Sequence, residues 1–358
     1  MENLLNSTDT NNTQLPPQPE LPPEKPNRSK KKWLYIAIAL VSTLVIGFLA
    51  VSLSTKNKTS QNTDTSRPYS GGKRDPKAMH FISNENKEKI LQKINNAQSL
   101  TELGDSTTQA FASAMKEDYG TNSSYNAPPI VVDNSQENSV ETYLEGATIT
   151  PLAEADLPLA KKIINVFADE YSKYPIEWMR YASSPEAFVF AKEVKIGDDS
   201  AGGVTKVAII YDIGQFQNIS TPVEQKYADV YLKQLIHHEI AHWVDQQTFG
   251  TDNPYDRDWL KLNPGGVDDY NSGYDFSSEN NYADHPALGF ISGYALTNWE
   301  EDKAEIYSYM FTKEGTQKLN QYSLKDPVLK KKVNYWKDFI KEKVPGMDDS
   351  YFKKYIES

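Results

Sequence analysis

The sequence predicts an α+β protein, with a small antiparallel or mixed sheet and a mainly helical C-terminal half on a membrane-anchored stalk. Three observations predict it. Residues 33–53, WLYIAIALVSTLVIGFLAVSL, contain neither charge nor proline. Two runs rich in β-branched and aromatic residues, AFVFAKEVKI and TKVAIIYDI, sit on either side of a polar turn. Beyond them come long amphipathic patterns with strong helix-start signals.

Residues 1–32 are dominated by Asn, Thr, Pro and charge and have too few apolar groups to offset chain entropy, so a disordered tail is expected. The 21 residues that follow, at about 1.5 Å each, cover a hydrocarbon core of roughly 30 Å. The run is too long for the roughly 7–15-residue apolar region of a signal peptide, although FLAVS leaves cleavage and release as the alternative. Lys25, Arg28, Lys30, Lys31 and Lys32 crowd its N-terminal flank. The positive-inside bias therefore puts the tail in the cytoplasm and residues 54–358 outside, as in a single-pass type II protein.

Residues 54–146 read as an extracellular linker or stalk. A short helix is expected in NKEKILQKINNAQSL, and a loosely packed spacer from 101 to about 145. The folded domain is expected over 147–358. The stretch DLPLAKKIINVFADEYSKYP is an amphipathic helix that Pro175 ends. The two β-rich runs, separated by GDDSAGG, predict antiparallel strands. Thr221, Pro222 and Glu224 then form a capping box with proline at its favoured first position, and Gly250 marks the end of a long helix. A further helix starts at Thr297 or Asn298, and DPVLKKKVNYWKDFIKEKV gives a C-terminal one.

The chain has no cysteine, so disulfides and thiolate chemistry are excluded. That, with abundant Lys, Asn and Tyr, suggests a bacterial cell surface. The net charge of −11 argues against nucleic acid as a partner. A monomer is expected.

The long helix contains LIHHEIAHWVDQ. At about 100° per residue, His238 and His242 lie within about 40° of each other, one turn apart. Two such imidazoles can reach one metal ion, and Glu239 beside them can take a proton from water. Ile236, Ile240 and Trp243 occupy the opposite side, as a helix between a cleft and a core requires. His237 points about 100° away from His238 and reads as packing or surface. A catalytic Zn2+ needs a third protein ligand. The carboxylates available include Asp252, in GTDNPY, and the pair Glu301 and Glu305, one turn apart on the helix after Asn298. Glu300 and Asp302 fall on other faces and read as solvated charges.

The combination HHEIAHWVD, DWLKLNP and GYALTNWEEDKAE resembles the anthrax lethal factor-type zinc peptidases, which include the secreted Pro-Pro endopeptidases. The resemblance covers roughly residues 147–345 and implies a zincin-like fold with glutamate as the third ligand. It assigns the metal to His238, His242 and Glu301, proton transfer to Glu239 and oxyanion stabilisation to Tyr294. Glu305 becomes the carboxylate that supports a ligand histidine. Protein or peptide is then the substrate, and TKVAIIYDI the edge strand that receives it. Two features depart from the family pattern: a long insertion before Tyr294, and Lys303 where an aromatic residue is common. Two other readings compete. One is a hydrolase of a cell-wall amide. The other is a non-catalytic adhesin with a structural zinc, for which His285 is the candidate fourth ligand.

Overall fold

The computed structural model describes residues 78–120, 127–132, 147–182, 185–197, 199–250, 256–266, 270 and 283–356. The tail, the apolar run 33–53, Asp252 and most of the insertion before Tyr294 lie outside these residues. Among the described residues no helix is long and apolar enough to cross a membrane.

The described chain is mixed α and β, with three small sheets and a mostly helical remainder. Helix α1 (Asn84–Asn96) is the one expected there, capped by Ser83 and burying Ile90 and Ile94. Residues 101–119, expected as spacer, instead belong with Leu100 to a second helix, α2 (Leu100–Tyr119), capped by Ser99. Leu103, Phe111 and Met115 on α2 join the main core, where Phe111 meets Phe167 and Tyr171 edge-on. The Ser, Thr and Asp that hid this helix in the sequence include Thr107 and Thr108, whose hydroxyls bond back to the carbonyls of Leu103 and Gly104.

Strand β1 (Ile130–Val131) precedes β2 (Ala147–Thr150), α3 (Leu157–Tyr171) and α4 (Ile176–Ala182). Five strands follow: β3 (Phe188–Ala191), β4 (Glu193–Ile196), β5 (Asp199–Ser200), β6 (Gly203–Thr205) and β7 (Ile209–Asp212). The main sheet has the order β1-β3-β7-β6, and a second antiparallel sheet has the order β2-β4-β5.

Two expectations about these strands are corrected. AFVFAKEVKI is not one strand: β3 and β4 enter different sheets, and GDDSAGG carries β5 and the first residue of β6. The two apolar runs pair in parallel, Phe188 opposite Ile209 and Ala191 opposite Asp212. Both strands are buried along their whole length, and continuous apolar runs are the mark of parallel strands covered on both faces. The IIYD part of TKVAIIYDI is therefore the interior strand β7, and the edge beside it is β6, which ends at Thr205 and pairs antiparallel with β7.

Helix α5 (Pro222–Phe249) starts at the expected capping box: the Thr221 hydroxyl accepts from Glu224 N–H, and Glu224 accepts from Thr221 N–H. Then come α6 (Arg257–Leu260), the hairpin β8 (Asp284–Ala287) and β9 (Phe290–Ser292), and α7 (Trp299–Met310). The chain closes with α8 (Lys313–Ser323), α9 (Pro327–Lys343) and α10 (Asp349–Tyr355). Asn298 caps α7 by accepting from Glu301 N–H, and Asp326 caps α9. Helices α5 and α7 pack directly against each other, and that contact builds the site.

Candidate metal centre

The two histidines sit in the C-terminal half of α5, with about four turns of helix on their N-terminal side holding their direction. Their neighbours Ile236 and Ile240 are fully buried in the main core. Glu301 lies in the first turn of α7, and the Asn298 cap fixes where that turn begins. The crossing of the two helices brings donor atoms of His238, His242 and Glu301 within 4.8 Å of one another. His238 Nε2 is 3.0 Å from Glu301 Oε2 and 3.0 Å from His242 Nε2. His242 Nε2 is 3.4 Å from the same carboxylate oxygen.

The other nitrogen of His238 settles its chemistry. Nδ1 lies 3.2 Å from Glu305 Oε1 and donates to it, which turns Nε2 to the shared space as the nitrogen that could ligate a metal on giving up its proton. Glu305 is held in turn by Ser292, whose hydroxyl donates to Oε2 at 2.6 Å and accepts from Ala295 N–H. Two ring nitrogens and one carboxylate oxygen thus converge, a donor set that suits a zinc-sized cation. Burial disfavours charge on His238, but hydrogen bonds to Glu301 and Glu305 outweigh it and push the ring up to about 10. Burial likewise opposes a charged His242, yet Glu301 carries it above its ordinary value. Burial would raise Glu301, but the two histidines draw it well below the carboxylate range. The field that holds protons here would equally hold a cation.

Glu239 is 2 % exposed, and the Thr205 hydroxyl donates to its Oε2 at 2.8 Å. Burial is the largest influence on this carboxyl and raises it. The edge strand makes room for it: a Cβ at Gly203 would stand 2.6 Å from Glu239 Oε1. Tyr294, in the short turn before α7, places its ring 5.9 Å from the His238 ring, with its hydroxyl buried. The candidates His238, Glu239, His242, Tyr294, Glu301 and Glu305 are therefore gathered in one place. Ser292, Thr205 and Gly203 belong beside them. No motif marks these three, since each acts through a contact made only in the folded chain.

Other candidates lie elsewhere. His237 is fully buried, where its Nε2 donates to Glu170 and the Tyr174 hydroxyl donates to its Nδ1. It pins α5 to α3. His285 pairs with Asp326 at 2.8 Å and stacks on Tyr322, away from the convergent donors. The reading of Asp302 as solvated is corrected: it is fully buried, paired with Lys332 and bonded by Trp259 and Tyr270. Glu300 is half-buried, which pushes its carboxyl up to about 7.

A helix pair offering two imidazoles, a carboxylate and a buried acid suits metal-assisted hydrolysis. Residues 142–353 match the model of the family described as "Putative zinc-binding metallo-peptidase", more than half of the chain, and the protein belongs to that family of zinc peptidases. A solved structure with the same description, from Bacteroides caccae, is 14 % identical, with 58 % of this chain and 79 % of that chain covered at a TM-score of 0.36. No curated protein matches the chain.

Proposed function

We propose that the protein is a cell-surface zinc endopeptidase of the lethal factor type. His238, His242 and Glu301 hold the metal, and Glu305 keeps His238 in the tautomer that can ligate. One observation carries this reading: Nε2 of both histidines and Oε2 of Glu301 meet at one point, while Glu305 occupies the opposite nitrogen of His238. Zinc bound there supplies Lewis acidity toward a peptide carbonyl and an attacking water. Glu239 takes the proton from the water as its oxygen bonds to the carbonyl carbon, then delivers that proton to the departing amine nitrogen as the C–N bond breaks. The Tyr294 hydroxyl donates to the carbonyl oxygen as negative charge develops on it.

The substrate is a protein or peptide. An extended chain would lie along β6, the edge strand that also carries Thr205 to Glu239. Residues 33–53 would anchor the protein, with the tail at 1–32 in the cytoplasm, residues 54–146 outside and the peptidase domain over 147–358, acting as a monomer. The test is cleavage of a peptide library by the chain from residue 78 onward, with cut sites identified by mass spectrometry. Cuts that disappear with chelator and in Glu239→Gln are expected. Cuts that persist in that variant would remove the mechanism.

A further inference from the structure

Lys303 is a lysine inside the protein, 1 % exposed, on the face of α7 that turns away from Glu301. Its Nζ donates to Asp245 at 2.7 Å and to Asp256 at 2.8 Å, and it sits over the rings of Phe249 and Trp336 at 4.7 and 4.9 Å. Burying an ammonium and two carboxylates is costly unless their geometry offsets the lost hydration. Apolar side chains could fill the same volume without that cost. The position of Asp245 supplies a reason for the charges.

At about 100° per residue, Asp245 lies about 20° from His238 around α5, so His238, His242 and Asp245 form one stripe. Helix α7 crosses that stripe. Glu301 and Glu305 meet the two histidines from one side of α7, and Lys303, about 160° around from Glu301, meets Asp245 from the other. Two contacts on one flank and a third on the opposite flank fix both the rotation and the slide of α7 on α5. Among the described residues, Lys303 is the hydrogen-bond partner of the Asp245 carboxylate: it donates to Oδ1, and the buried Oδ2 accepts no hydrogen bond. Asp256, by contrast, is anchored independently: it caps α6 through Asp258 and Trp259 N–H and accepts from Tyr335.

We propose that the buried Lys303–Asp245 pair is a positioning device for the metal centre, setting the crossing of α5 and α7 so that Glu301 reaches His238 and His242. The proposal rests on these three residues being the zinc ligands. It separates Asp245, on the ligand helix, from Asp256, which is not.

The experiment is zinc affinity by competition with a chromogenic chelator, with thermal melting alongside, on the full chain. Asp245→Asn leaves Lys303 paired with Asp256 and is expected to weaken zinc binding about tenfold, the lower end of what supports of metal ligands contribute. Asp256→Asn is expected to lower the melting temperature at least as much, yet leave zinc affinity within about twofold of wild type. Asp245→Glu keeps the charge, and so the fold, but lengthens the brace by one methylene; an affinity between those of wild type and Asp245→Asn is expected. In the cobalt-substituted protein, the visible d–d band should weaken in step with affinity for the Asp245 variants alone. Wild-type affinity in both Asp245 variants, or equal losses in Asp245→Asn and Asp256→Asn, would overturn the proposal. His242→Ala separates the two claims. If it binds zinc as wild type does, the ligand assignment falls and the brace with it. If it loses zinc while both Asp245 variants keep it, the brace alone falls.

Discussion

Glu305 meets His238 on the ring nitrogen opposite Glu301: its Oε1 is 3.2 Å from Nδ1, while Nε2 faces Glu301 Oε2 at 3.0 Å. One carboxylate thus fixes the ring and its tautomer, and the other shares its donor face. Partners of this kind raise ligand basicity, and losing one costs about 10- to 100-fold in metal affinity. Glu305→Ala is expected to fall in that range by chelator competition. Ser292→Ala, which removes only the hydroxyl that orients Glu305, should give a smaller loss of the same sign. Unchanged affinity in Glu305→Ala would deny it any part in holding the metal.

Glu239 and Tyr294 should behave differently from the ligands. Neither belongs to the convergent donor set, so Glu239→Gln and Tyr294→Phe are both expected to bind zinc as wild type does. Glu239→Gln should lower kcat by about 100- to 10,000-fold, the usual contribution of a proton-transfer group. Tyr294→Phe keeps the ring packed against His238 and should lose about 100- to 1,000-fold in kcat, as a lost oxyanion donor does. A raised KM with unchanged kcat in Tyr294→Phe would place that hydroxyl in substrate binding instead.

Gly203 is a position where a single methyl group tests the site from the sheet side. Its Cβ would come within 2.6 Å of Glu239 Oε1 and 2.7 Å of Glu239 Cγ. Gly203→Ala must therefore displace either the acid or the edge strand. Activity is expected to fall at least tenfold, the scale that a misplaced catalytic group reaches readily, with zinc affinity retained. Steady-state kinetics with chelator competition on the same sample checks both halves.

What could be read from the chain before folding follows a physical divide. His238, Glu239 and His242 were legible because helix periodicity alone places them together, and the Thr221–Pro222–Glu224 signal said where that helix starts. Glu301 and Glu305 needed more, since periodicity shows that they share a face but not which helix that face meets. Resemblance supplied the missing contact. Lys303 read as a departure from a pattern and Asp302 as a surface charge, because a buried ion pair has no local signature: each partner is an ordinary charged residue until its counter-ion arrives from a distant helix. The strands failed for a related reason. A continuous apolar run such as FVFA or IIYD says that both faces are covered, but not which strand lies beside it. Hence β3 and β7 looked like a hairpin when the hairpin was β6 with β7.

Helix α2 and strand β1 make a prediction about where the folded unit begins. The sequence places that start at 147, yet Leu103, Phe111, Ile130 and Val132 are buried in the core that holds α3. Removing them uncovers Phe167 and Tyr171 and opens the β1–β3 edge. Uncovering a single large apolar side chain costs about 1.5–3 kcal/mol, and several together approach the whole stability of a domain. A chain starting at 147 is expected to aggregate or melt without cooperativity, whereas one starting at 78 should give a single sharp transition and a monomeric elution volume. Equal behaviour of the two would make residues 78–132 an accessory rather than part of the fold.

The buried Glu170 gives a stability prediction with a defined pH window. It is 2 % exposed, and burial alone would raise its carboxyl. The His237 hydrogen bond, with the charge of Lys173, outweighs this and draws it from 4.5 to about 2. A carboxyl whose folded value lies below its unfolded value binds fewer protons in the folded state. Its contribution is therefore complete above pH 4.5 and is lost as pH falls toward 2. The shift corresponds to about 3 kcal/mol. Glu170→Gln should be less stable than wild type at pH 7 by an amount of that order, and the gap should close as pH falls below about 4.5. Urea unfolding of both metal-free proteins, compared at each pH over the range in which they stay folded, measures the gap directly. Taking the difference cancels the titration of the other acids common to both chains. A gap that stays constant down to the lowest accessible pH would show that the carboxylate charge contributes nothing at this site, leaving His237 pinned to α3 by shape and a neutral hydrogen bond alone.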